Sequence, residues 1–156
     1  MTGVDLELLD GEQLLSEVEE LALRQIAPHM YVDGGKIATS AFGPNSSDAN
    51  KPSYSRSSIV TPQQARDWHS ANAPSHSLGV YGVSVGEVLE SGRHVVDDSA
   101  CPVPEGRTRA PGHCFVDIRG LDRPQRRELR AKLYMHAMAR GELPTEDANE
   151  DGQLFA

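Results

Sequence analysis

At 156 residues the chain has the length of one ordinary domain, able to bury roughly two thirds of its unfolded surface. A hydrophobic share of 38%, with one Trp and three Phe, is low for a compact globule, so part of the length is expected to lie outside the core. The net charge of −8 repels a phosphate backbone and disfavours nucleic-acid binding, and no apolar run approaches the ~18 residues of a membrane span.

Two cysteines, Cys101 and Cys114, are too few for a disulfide framework, and no secretory leader is evident. Reduced thiols and no leader together set the expectation of a cytoplasmic protein. Acidic residues concentrate toward the two ends. Arg119, Arg123, Arg126, Arg127, Arg130 and Lys132 form a basic block, expected as a solvated helix face.

In chain order, Leu14, Leu15, Val18, Leu21 and Ala22 recur at helical spacing, with glutamates between them, and predict an amphipathic helix over 11–23. Pro28 stops it, and 24–26 reads as either its last turn or the start of a strand. Tyr31, Val32, Lys36 and Ile37 flank Asp33, Gly34 and Gly35, the pattern of two short strands around a tight turn. Gly34, Gly35 and Lys36 lack the spacing of a phosphate loop. Phe42 is expected in the core, and 43–58 as a flexible polar loop. Thr61, Pro62 and Gln64 have the form of a capping box, predicting a helix to about residue 70 that buries Ala65 and Trp68.

The most β-branched run, 78–83, predicts a central strand, with Gly79 and Gly82 marking a close approach. Ser84 and Glu87 have capping-box spacing for a short helix ending at Gly92, and 94–97 reads as a strand. After a proline-bearing loop, 112–119 reads as a strand feeding a helix from about 122 to 140. That helix is capped by Asp122 and Gln125, ends at Gly141, and carries Leu129, Leu133, Met135, His136 and Ala137 along or beside one stripe. These elements define class α+β: a small mixed or antiparallel sheet with three to four helices, the long C-terminal helix packed on it. One domain is expected over 1–144, followed by a disordered acidic tail over 145–156.

The chemistry-bearing residues centre on 110–120. Alternation there places His113, Asp117 and Arg119 on one face and Cys114, Val116 and Ile118 on the other. A histidine on such a strand suits acid–base work near neutrality. Arg24, Arg56 and Arg119 could steady an anion, with hydroxyls from Ser55, Ser57 and Ser58. His76, His94, Asp97, Asp98, Cys101, His113 and Cys114 include metal-ligand types but in no recognised spacing, so neither a metal nor a cofactor is expected. Both cysteines are expected to be structural. Tyr54 and Arg56 are the contact-prone residues of the 43–58 segment.

Two function classes follow. The leading expectation is a small cytosolic interaction protein of antitoxin, immunity or accessory-subunit type, its acidic surface meeting a protein partner. The alternative is a small enzyme acting on a nucleotide or phosphorylated substrate, with His113 as acid/base, Arg24 and Ser55 assisting, and an arginine clamp drawn from Arg56 or Arg119. The environment of His113 separates them. A cleft with an arginine and a serine hydroxyl favours the enzyme; a buried imidazole satisfied by backbone refutes it.

Overall fold

Antiparallel strands pair through the same backbone ladder whatever their separation along the chain, and the neighbours in the main sheet here are all far apart in sequence. The computed structural model describes residues 8–32, 36–43, 52–73, 77–103, 106 and 108–146. Six strands form one antiparallel sheet: β1 (Gln13–Leu14), β2 (Leu21–Gln25), β5 (Ser53–Arg56), β6 (Val80–Ser84), β7 (Val95–Asp97) and β8 (His113–Val116), in the order β1-β7-β8-β5-β2-β6. The two expected short strands are present and paired antiparallel as β3 (Tyr31–Val32) and β4 (Lys36–Ile37), and the turn expected at 33–35 lies outside the described residues. Among the described residues the sheet is accompanied by three α-helices: α1 (Pro62–Asn72), α2 (Val85–Glu90) and α3 (Arg123–Arg140).

Residues paired in register share a face, so the register assigns every strand side chain. Ala22, Val83, Tyr54, Cys114, Val116 and Val95 point to one side and meet Leu129, Leu133 and Ala137 of α3 and Val85 and Val88 of α2 in the main core. Leu23 and Val80 point to the other side, against Val60 and Ala65 of α1. Full burial of a side chain such as Leu133 stabilises by about 1.5–3 kcal/mol. All three helices start with the capping boxes the sequence predicts, at Thr61/Gln64, Ser84/Glu87 and Asp122/Gln125. Glycine at 141, with φ +86°, ends α3 in a conformation other residues rarely adopt.

The helix expected over 11–23 does not form. Leu14 and Val18 are 42% and 55% exposed while Leu15 and Ala22 are buried, so the residues of the expected stripe do not share one buried face. The backbone finds partners elsewhere instead: Leu15 N–H donates to Val95 O, and Gly86 N–H to Val18 O. Strand β2 lies between β5 and β6 with both faces covered, so its sequence carries no clean polar–apolar alternation to announce it. The run 78–83 supplies β6, which lies at the sheet edge rather than at its centre. Its outer side is closed by the chain returning from α3, where Leu143 N–H donates to Val80 O at 2.9 Å. Gly82 faces Leu143, where an added Cβ would stand 3.4 Å from its Cδ1.

Within the expected 43–58 loop, residues 44–51 lie outside the described residues, but Ser53–Arg56 is β5, an interior strand. Thr145 and Glu146, the start of the expected tail, are fixed to α1: Arg66 donates to Thr145 Oγ1 and Glu146 O, and Glu146 N–H donates to Gln63 Oε1. The rest of that tail lies outside the described residues. Trp68 is half-buried, and Met135 points outward at 69% exposure. Among the described residues no helix is long and apolar enough to cross a membrane.

Candidate functional site

Strands β7, β8 and β5 are adjacent, and their registers place three polar residues on the α1 side of the sheet. Asp97 pairs with Cys114 and Ser55 with His113, so Asp98, one residue past β7, lies level with His113. Ser53 lies two residues along β5 and on the same face. His113 is entered through Gly112, which has φ +67° and packs so closely on Ile59 that an added Cβ would stand 2.9 Å from the Ile59 Cβ. Its carbonyl accepts from Arg56 N–H at 2.9 Å, which anchors the start of β8 to β5.

The imidazole bridges the other two side chains. Its Nδ1 stands 2.6 Å from Asp98 Oδ1, and its Nε2 stands 3.1 Å from Ser53 Oγ. The His113 side chain is 18% exposed and Ser53 is exposed, while Asp98 is buried. A carboxylate at Nδ1 holds the ring with its proton on that nitrogen, which leaves Nε2 free to accept from the serine hydroxyl. Carboxylate, imidazole and hydroxyl in this sequence are the parts of an activated oxygen nucleophile: orienting group, general base, attacking atom. The imidazole is therefore held by side chains and is only part-buried, rather than sealed in by backbone groups.

The expected arginines are placed otherwise. Arg24 is buried on the α3 side. Its Nε donates to Ala41 O at 2.7 Å, Nη2 to Gly43 O at 2.6 Å and Nη1 to Ser53 O at 2.7 Å, with the guanidinium 5.2 Å from the Tyr54 ring. Tyr54 is itself buried and donates its hydroxyl to Phe42 O at 3.0 Å. Arg56 points away from His113 and binds Glu20 through Nε and Nη2 and Asp97 at 2.7 Å. Burial alone would raise the Glu20 carboxyl, but hydrogen bonds from Arg56 and Ser58 more than offset it and hold it below the usual range. Asp97 behaves alike: burial is outweighed by hydrogen bonds from Ser99 and Arg56.

Arg119 lies 5.2 Å from the Phe115 ring and bridges Asp117 at 2.7 Å and Glu12 at 3.1 Å. Asp117 is buried rather than facing solvent as the alternation suggested; Arg93 supplies its other partner at 3.2 Å. Ser55 pairs with His113 through the backbone ladder, while the ring reaches Ser53. Burial, reinforced by Asp97, Asp98 and Glu20, pushes the Cys114 thiol up, so it stays protonated and unreactive. Among the described residues no group of three His, Cys, Asp or Glu side chains is arranged to hold a metal ion.

Sequence reasoning thus singled out His113 but neither of the side chains it meets. Asp98 was visible only as a possible metal ligand, and Ser53 lay inside a stretch whose composition reads as loop. The available signal was register: a strand at 94–97 beside one at 112–119 brings an aspartate level with the histidine. No family model matches the chain, and no curated protein or solved structure is significantly similar to it.

Proposed function

We propose that the protein is a small enzyme that transfers or hydrolyses an acyl group through Ser53, with His113 as acid/base and Asp98 orienting the ring. The observation supporting this reading is the pair of hydrogen bonds that places His113 between a buried carboxylate and an exposed hydroxyl. Attack by Ser53 Oγ on an ester or thioester carbonyl passes its proton to His113 Nε2. The leaving group then takes that proton, and water releases the acyl group by the reverse order. A phosphorylated substrate is less suited to this face, because Arg24, Arg56 and Arg119 are all engaged by carbonyls or carboxylates.

A fluorophosphonate probe tests the proposal without knowledge of the substrate. Labelling of the folded protein should map to Ser53, vanish in Ser53→Ala and fall steeply in His113→Ala and Asp98→Asn. A folded protein that takes no label, or Ser53→Ala labelled like the parent, would remove the nucleophile.

A second reading, the interaction protein of antitoxin, immunity or accessory-subunit type, draws on the exposed Leu8, Leu9, Leu14 and Val18 beside edge strand β1. An edge strand with apolar neighbours is a surface that another chain can cover. Capture from native extract at physiological salt tests it: a partner lost in Leu14→Lys supports the reading, and no stable partner sinks it.

A further inference from the structure

On the side of the sheet opposite His113, the first half of α3 borders a hollow of about 380 Å³ lined by Leu121, Arg123, Arg126, Arg127 and Arg130. Four arginines among the residues lining one small hollow are unexpected in a chain whose net charge is −8. The described carboxylates in this stretch have partners of their own. Asp122 caps α3 by accepting from Gln125 N–H at 2.9 Å, and Glu128 pairs with Lys132 at 3.3 Å. Arg126 gives its Nε to Leu121 O, and none of the four arginines meets a carboxylate among the described residues.

The cluster is also built at some cost. Arg123 stands one helical turn from Arg127, and Arg126 one turn from Arg130, spacings at which like charges repel. The stem of Arg130 lies over Gly43 so closely that an added Cβ there would be 2.5 Å from its Cδ, so the missing side chain at 43 leaves its place. An anion in the hollow would relieve the repulsion. Guanidinium forks match phosphate oxygens two at a time.

We propose that this hollow binds a small molecule bearing two or more phosphate groups, at a site separate from His113. Its volume falls near the lower end of small-ligand pockets, too little for a length of chain. The surrounding negative charge opposes a long polyanion more than a compact one.

Isothermal titration of the full chain with inorganic pyrophosphate tests the proposal. One saturable site is expected, weakening as sodium chloride rises. Arg123→Gln with Arg127→Gln, both exposed and outside the core, should weaken binding roughly hundredfold, about tenfold per arginine. A second pair, Arg126→Gln with Arg130→Gln, should do the same. In the first pair, the melting temperature without anion should hold or rise as the repulsion is relieved. No saturable binding, unchanged affinity in both pairs, or tighter binding of a DNA duplex or a glutamate-rich peptide than of pyrophosphate would overturn it.

Discussion

Arg24 offers the sharpest test of how this fold is held together. Its three donors close the two ends of the segment between Gly43 and Ser53 onto β2, and they do so at 2.6–2.7 Å inside the structure. Substitution Arg24→Met keeps much of the stem and removes all three donors. A hydrogen bond from a charged donor contributes about 1.5–3 kcal/mol net, so three set an upper range of roughly 4.5–9 kcal/mol. Relaxation and water entering near the partly buried Ser53 carbonyl reduce that, and we expect a loss of about 3–5 kcal/mol. That is a large share of the ~5–15 kcal/mol that holds a domain folded.

Urea unfolding followed by circular dichroism reads the change through the midpoint at constant slope. Arg24→Lys is the informative partner variant. It keeps the charge, but an ammonium cannot present a planar fork to three carbonyls, so most of the loss should remain. Should either variant unfold within ~1 kcal/mol of the parent, smaller than one such hydrogen bond, the clamp is not what orders this region. Because Ser53 O is one of the three acceptors, fluorophosphonate labelling of Ser53 should also fall in the variants that remain folded.

Three further outcomes are expected. Glu20 and Asp97 have carboxyls held below their ordinary values, so the stability they contribute is present above the ordinary carboxylate range and is lost as pH falls through their lowered folded-state values. Melting temperatures from pH 7 to pH 3 should therefore drop, and less steeply in Glu20→Gln; an equal slope in both proteins would contradict the Arg56 network. Gly112→Ala meets both a positive φ and the Ile59 Cβ, and should destabilise by about 1–3 kcal/mol while displacing His113, read by urea unfolding and by probe labelling. Ellman's reagent should titrate the half-buried Cys101 in the native protein and reach the buried Cys114 only on unfolding; two fast thiols would refute that placement.

What could be read from the residues tracked local chemistry. Helix starts were legible because a capping box is a contact within four consecutive residues: Thr61, Ser84 and Asp122 each find their glutamine or glutamate partner without help from the rest of the chain. The strands within 94–97 and 112–119 were legible from Val95 and Val96 and from the glycines that bound the second, although β8 stops at Val116 and leaves Asp117 to Arg119 beyond it. Strand β2 was not, because neighbours on both faces bury Leu23 and Arg24 alike and erase the alternation that would mark it. Strand β5 was hidden for the opposite reason: Ser53, Ser55 and Arg56 carry loop-like composition, and only pairing on both sides makes them extended. The partners of His113 depended on which strands are neighbours, a property of topology that no local window contains.

The return of the chain after α3 joins parts that would otherwise be independent. Leu143 is tied by its backbone to β6, while Thr145 and Glu146 are tied to α1, so a helix on one side of the sheet is strapped to a helix on the other. Neither layer can peel away until the strap lets go. The two hydrophobic clusters should therefore melt in one shared transition, with the C-terminal crossing acting as the latch.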